Sequence, residues 1–365
     1  MSEALLSPSS PAWTQGALLS RRMWASVFIL AVIAALCFIG PFFSGHAYDA
    51  VYRDYVLTDP SLFSHPTVAE TEDALASLAR RLGARVESLH VSQGAVGLTL
   101  VGEKPIDPRA LRLFERTDLF GPARLIETGE QGRRLAIEAP IKRERFFFGT
   151  DANGRDLFTR VLVAGRISLA VGLLASFVAL TIGVAYGAAA GYAGGHIDAL
   201  MMRAIEILYA LPFIFFVIVL VMLFGRHFVL IFAAIGAVQW LDMARIVRGQ
   251  ALSIRATDFV AAAEALGASP SAILWRHIIP NATGPILAYL FVLVSQVILL
   301  ESFVSFLGLG VQEPLTSWGV LIADGARNIQ GSLHLLVFPA LFLGATLSAL
   351  QSLGDGFRTR RRGRF

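Results

Sequence analysis

Residues 167–190 carry no charged side chain. A helix crosses the hydrocarbon core of a bilayer in about 20 residues, and inside that core only helices or closed barrels satisfy their own backbone groups. A run of this length commits the segment to a membrane helix. The pattern recurs over residues 23–43, 207–224, 228–244, 283–307 and 333–353. Charged residues make up 16% of the sequence, against about 25% in a soluble domain. The expectation is an all-α polytopic membrane protein with six transmembrane helices. Pro212 and Pro339 fall within such runs, where neighbouring helices can satisfy the freed backbone groups.

Six crossings put both termini on one side, and the positive-inside rule selects it. With both ends in the cytoplasm, the inner segments hold twelve arginines, among them Arg21, Arg22, Arg203, Arg248 and Arg276, while the two short outer loops hold Arg226 and Arg327. Arg155, Arg160 and Arg166, just before the second run, count the other way. The predicted organisation is a cytoplasmic tail over 1–22, a first helix over 23–43, an outer insert over 44–146, the remaining helices over 147–357 and a basic tail over 358–365. The first run is long enough to span, so it reads as an uncleaved anchor.

The insert is charged and proline-containing. Leu75, Leu78, Ala79 and Leu82 recur at helical spacing, predicting a helix over 70–82. Residues 85–90 and 95–101 predict a hairpin around Ser92, Gln93 and Gly94. A second helix over 107–114 has Asp107 as cap and Pro108 at its first position, and a second hairpin joins 124–128 to 133–138 around 129–132. The order predicts a small α+β domain, one sheet with helices on one face. It serves either as a docking surface or as a passive insertion. Cys37 is the one cysteine, which excludes an intrachain disulfide and a CxxC site. No basic stripe with interleaved aromatics is present, so nucleic-acid binding is not expected.

Gly183, Gly187 and Gly191 fall every fourth residue in the second run. They predict a face that a partner helix, even one of another subunit, can approach closely. Ahead of that run, Thr150 or Asp151 can cap a helix, and alternating apolar and charged residues suit a helix lying in the membrane interface.

Residues 258–281 are too polar to span yet rich in alanine. Asp258 can cap a helix through Leu266, with Gly267 in the left-handed position that ends it. Ser269 can cap a second helix with Pro270 at its first position, and Pro280 disfavours helix in the residue before it, ending that helix near Ile279. The result is a rigid, exposed elbow of two short helices, a handle for something that pushes from the cytoplasm.

Glu301, Ser302, Ser305 and Gln296 lie in the fifth run, and an ionisable residue in a membrane helix marks a candidate substrate path. The alternative is a carboxylate at the interface, in reach of water. Asp242 reads as a solvated helix end and His277 as a packing or capping residue. His46 and His334 are isolated, and no metal-ligand spacing accompanies any histidine.

The run Ala261, Ala262, Ala263, Glu264, Ala265, Leu266, Gly267, followed by His277 to Asn281 with Pro280 between, resembles the "EAA" signature of ATP-binding-cassette importer permeases. Phe148-Gly-Thr-Asp-x-x-Gly-Arg-Asp156, Gly191-Tyr-Ala-Gly-Gly195, Ser305-Phe-Leu-Gly-Leu-Gly-Val-Gln-x-Pro314, Ser317-Trp-Gly319 and Leu353-Gly-Asp-Gly356 resemble the dipeptide/oligopeptide branch, over roughly residues 146–357. Ala261 stands where the family usually has glutamate, and Ile279 where it has leucine. The resemblance implies a permease domain over 147–357 in a bacterial inner membrane. It also implies a second permease subunit, two ATPase subunits that grip one elbow from each permease, and an external binding protein. Contact with the ATPases then falls to Ala261 through Gly267, Ser269, Pro270, His277 and Pro280.

No Gly-x-x-x-x-Gly-Lys-[Ser/Thr] loop is present, so ATP and Mg would be used by the partner ATPases and no cofactor is expected on this chain. The branch carries dipeptides, oligopeptides, peptide-like antibiotics or nickel. A secondary transporter or channel would show paired interrupted helices and midplane charges, which the sequence lacks. An intramembrane serine protease finds no Gly-x-Ser-x-Gly around Ser269.

Overall fold

The computed structural model describes residues 12–92, 94–225 and 228–362. Gln93 of the first predicted hairpin, Arg226, the first eleven residues and the last three lie outside the described residues. The chain forms two compact units. One comprises Ser44–Arg160 with Asn328–Leu335; the other comprises the segment up to Phe43, Val161–Arg327 and the chain from Leu336 onward.

The chain opens with helix α1 (Ala12–Ile39). In the insert unit, α2 (Val68–Arg81) begins two residues earlier than the apolar spacing predicts, because Thr67 and Glu70 form a capping box. The Glu70 backbone N–H donates to Thr67 Oγ1 at 3.3 Å and the Thr67 N–H donates to Glu70 Oε2 at 2.7 Å, satisfying two otherwise unpaired helix donors. Strands β1 (Ala84–Val91) and β2 (Ala95–Gly102) follow. The helix expected over 107–114 is instead a 3-10 turn, Pro108–Leu111, capped by Asp107, and a single α-turn, α3 (Arg112–Glu115).

β3 (Arg124–Gly129) and β4 (Arg134–Pro140) complete an antiparallel sheet in the order β1-β2-β4-β3. Leu98 faces Ile137 and Leu100 faces Leu135 in the central pair. Strand residues alternate between faces, so one face buries Val96, Leu98, Leu100, Leu135, Ile137 and Ala139 against Leu75, Leu78, Phe114 and Phe120. Each such side chain contributes roughly 1.5–3 kcal/mol through burial.

The second unit is helical: α4 (Leu157–Ala193), α5 (Gly195–Tyr209), α6 (Phe213–Phe224), α7 (Phe228–Arg255), α8 (Asp258–Ala265), α9 (Pro270–Ile273), α10 (Ile279–Phe306), α11 (Trp318–Arg327) and α12 (His334–Arg362), with the first residues of α4 and α12 in the insert unit. Four helical stretches are long and apolar enough to cross a membrane: Arg21–Phe42, Leu157–Ala193, Pro270–Phe306 and His334–Arg358. The pair α5 and α6, bent by 70°, makes a fifth if counted as one span.

The run over 207–224 is therefore not one straight helix. Pro212 has an extended backbone and α6 starts after it. α7, expected to span over 228–244, continues as helix to Arg255 through Asp242, Arg245 and Arg248, and is not among the apolar candidates. Among the described residues no separate helix directly precedes α4; the stretch from Leu157 expected to lie in the interface is the start of α4 itself. Its cap is Asp156 rather than Thr150 or Asp151, accepting from the Thr159 N–H at 2.8 Å, and the helix runs unbroken for 37 residues.

Thr150 and Asp151 instead hold the insert unit together. The Thr150 hydroxyl donates to the Tyr55 carbonyl and accepts from the Thr58 N–H. Asp151 accepts from the backbone N–H of Asn153 and Arg155, from Arg155 Nε at 2.8 Å, and from buried Arg160. Burial opposes ionisation of Asp151, but Arg160 and Arg155 prevail and hold its carboxyl below the usual range. His46 and His334 are not isolated. Each is buried in this unit, with Glu144 3.1 Å from His46 Nε2 and Asp59 3.7 Å from His334 Nδ1.

Candidate functional site

The elbow is built by local rules at its bend. α8 ends in a Schellman motif: the Gly267 N–H donates to Glu264 O at 3.0 Å and the Ala268 N–H to Ala263 O at 3.1 Å. Gly267 sits at φ +82 with no atom near the position of a Cβ. Its identity is therefore set by backbone conformation alone, since a left-handed residue with a Cβ is strained. Ser269 accepts from the Ala272 N–H at 3.3 Å, and Pro270 opens α9. At the other end, Thr257 rather than Asp258 occupies the N-cap position, and Asp258 lies in the first turn.

The second helix does not stop at Ile279. A π-turn over Leu274–Ile278 carries α9 directly into α10, with the Ile279 N–H donating to Leu274 O five residues back. A proline ring inside an α-helix crowds the carbonyl four residues earlier and lacks the N–H that would bond it. The wider turn lies where Pro280 would break a regular helix. The elbow is thus one short helix, a glycine bend, and the continuous N-terminal end of α10.

Val260, Ile273 and Ile278 are buried with Ala251 of α7, flanked by Tyr192, Ile254, Ala263, Ala268 and Leu274. Tyr192, on the last turn of α4, packs against this cluster, and the Arg255 guanidinium lies 5.7 Å from its ring while donating to Ala193 O at 3.2 Å. The sequence reading missed Tyr192; its signal is Gly191-Tyr-Ala-Gly-Gly195. The opposite side of the elbow is open: Ala261, Ala262, Ala265 and Pro270 are exposed, and so are Phe259, Leu266 at 88% and Trp275 at 67%. His277 is half-buried, its ring 6.3 Å from that of Phe259, and its carbonyl accepts from Asn281 Nδ2. Among the described residues no group of His, Cys, Asp and Glu is arranged to hold a metal.

The glycine face of α4 meets α7 of the same chain, not another subunit. A Cβ on Gly183 would lie 2.6 Å from Met243 Cβ, one on Gly187 would strike the Ala244 carbonyl, and one on Gly191 would lie 2.6 Å from Ala251 Cβ. Backbones this close require glycine. Elbow, α7 and the end of α4 consequently pack as one piece.

Glu301 lines no exposed wall of this chain and is not in reach of water. It is fully buried, with Ser302 and Ser305 also buried. Its carboxylate accepts from Ser305 at 2.7 Å, from Ser168 at 3.3 Å and from Ser302 at 3.5 Å. Gln296 alone of the four path candidates is exposed, on a stripe of α10 with Leu299, Phe303 and Phe306. Asp242 is half-buried, 3.9 Å from Arg245.

Residues 181–360 match a family described as binding-protein-dependent transport system inner membrane component. The chain is 53% identical over 220 residues to the oligopeptide transport system permease protein OppC of Haemophilus influenzae, covering 60% of this chain and 71% of that protein. It is 54% identical over 224 residues to the Escherichia coli OppC, covering 61% and 74%. It is 46% identical over 213 residues to the dipeptide transport system permease protein DppC of Bacillus subtilis, covering 58% and 67%. The matched region holds the glycine seam, the whole elbow and Glu301, and the chain belongs to the binding-protein-dependent transport system inner membrane components, the permeases of ATP-binding-cassette dipeptide and oligopeptide transporters.

Proposed function

We propose that this chain is one membrane subunit of an importer that moves di- or oligopeptides across a bacterial inner membrane. It pairs with a second permease subunit, two separate chains hydrolyse ATP with Mg, and an external binding protein delivers the peptide. The observation that carries the reading is the elbow: a capped, rigid bend continuous with α10 that leaves Phe259, Leu266 and Trp275 exposed on its open side. An apolar surface of this kind suits a groove on a partner. Ala261 stands where the resemblance implies glutamate, and apolar packing of Leu266 and its neighbours into a partner groove survives that change.

In this reading the chain crosses six times with both termini inside, the bent α5–α6 pair forming the third pass and α7 the fourth, and the insert over 44–146 faces outward. ATP binding draws the two ATPases together and tilts the elbows, biasing the bundle between inward-open and outward-open states. The test is purification from membranes followed by reconstitution in liposomes. ATPase chains should co-purify, and uptake of a labelled peptide should require ATP and Mg. Uptake driven by an ion gradient without nucleotide would establish a secondary transporter instead. Protease added to intact spheroplasts should cut within 44–146, and protection of that segment would reverse the orientation.

A further inference from the structure

We infer that Glu301 is a positioning residue: its carboxylate fixes α4, α10 and the start of α11 in one register, so that displacement of the elbow reaches α11 at the far end of α10. The inference rests on the importer reading and goes beyond it by naming the joint through which force leaves the lever.

The geometry is that of a knot with strands from separate elements. Ser168 comes from α4 and Ser302 and Ser305 from α10, while Ser317, immediately before α11, joins the knot through the Ser305 hydroxyl. Ser317 also accepts from the Val320 N–H at 3.3 Å, capping α11, and its hydroxyl lies 3.4 Å from that of Ser305. Ser168 accepts from the Trp318 N–H at 3.2 Å, while Trp318 Nε1 donates to the Val161 carbonyl of α4 at 3.0 Å.

Glycines permit the approach. A Cβ on Gly319 would strike Ser302, one on Gly310 would strike Ser305, and one on Gly172 would lie 2.5 Å from Ile298. Gly308 at φ +76 turns the chain out of α10 toward Ser317.

Apolar packing alone would hold these helices together but would let them slide. A buried carboxylate is costly unless its hydrogen bonds are kept, and in a membrane helix the cost is higher still. Moving α4 strips the Ser168 donor from Glu301, and moving the start of α11 breaks the Ser317–Ser305 and Trp318–Ser168 bonds that orient those donors, so the three elements move together or not at all. The second arm of the elbow and α10 form one helical stretch, Pro270–Phe306, of 37 residues, roughly 55 Å at 1.5 Å per residue. The push enters at one end of it and the knot sits near the other.

The test uses the complete transporter in liposomes, measuring peptide uptake and ATP hydrolysis together. Glu301→Leu should leave hydrolysis running and lower peptide taken up per ATP on the order of tenfold, and Glu301→Gln, which retains hydrogen-bonding atoms, should restore most of it. A proportional fall in both activities would show a merely structural role and overturn the inference, as would an unchanged ratio. If Glu301→Leu does not assemble, Ser168→Ala, which removes the hydroxyl joining α4 to Glu301 and to the Trp318 N–H, is read by the same ratio. Should the unmodified transporter hydrolyse ATP yet take up no peptide, the cargo assignment fails; the joint is then read from a spin-label distance between α4 and α11, which should broaden in Glu301→Leu and stay narrow in Glu301→Gln. An unbroadened distance in Glu301→Leu overturns it.

Discussion

Arg248 Nε and Nη2 donate to the two carboxylate oxygens of Asp198 at 2.5 and 2.6 Å. The pair fastens α5 to α7 beside the glycine seam, where the Arg248 carbonyl would lie 2.7 Å from a Cβ on Gly191. Planar, two-point guanidinium–carboxylate contact is stronger and more directional than a single point-charge pair.

Asp198→Ala and Arg248→Ala should each lower the stability of the detergent-solubilised protein by about 2 kcal/mol. Thermal unfolding of the single and double variants measures the coupling. If the two effects simply add, the bond contributes nothing beyond the separate side chains.

Gly187→Val forces a side chain into the Ala244 carbonyl and should cost about 3 kcal/mol or prevent accumulation in the membrane. Gly249→Ala, on the same partner helix but with open space at its Cβ, should be neutral or stabilising by up to about 1 kcal/mol. Comparing membrane abundance and melting of the two variants separates close packing from a general dislike of side chains at glycine positions.

Gly267→Val meets open space but an unfavourable φ, with a strain of about 1–2 kcal/mol. We expect normal insertion with transport uncoupled from ATP hydrolysis, and Gly267→Asn, which tolerates the left-handed region, to retain most uptake. Equal uptake in Gly267→Val and the unmodified protein would remove the bend from the mechanism.

Two carboxylates of the insert unit should respond oppositely to pH. Asp151 ionises more readily when folded, so its contribution is complete above the unfolded value near 3.8 and is lost as pH falls through the lower folded value. Asp151→Asn should therefore destabilise at neutral pH, by about 3–5 kcal/mol because buried Arg160 loses its partner, and should flatten the acid limb.

Burial raises Asp156, so its contribution is present below 3.8 and is lost as pH rises through the higher folded value. Asp156→Asn keeps an N-cap oxygen and should be neutral or stabilising at pH 7. Melting curves between pH 3 and pH 8 distinguish the two, and parallel curves for both variants would contradict these assignments.

Local chemistry was legible from sequence. The Gly267 bend, the Ser269 cap, the first position of Pro270 and the glycine spacing of α4 follow from backbone conformations that few residues adopt, so residue identity specifies them. Apolar runs marked four of the six expected membrane helices, and a fifth as a bent pair, because hydrocarbon leaves backbone groups no partner outside a helix. What the sequence could not supply was which side chains meet across the bundle. Pro280 read as a stop, yet neighbouring turns widened and carried the helix on. Glu301 read as a path residue or a carboxylate at the interface, yet Ser168 of α4 and the serines of its own helix enclosed it. Asp156 displaced Thr150 and Asp151 as the cap of α4. Each of these outcomes depends on partners far away along the chain, and only tertiary packing brings those partners within hydrogen-bond distance.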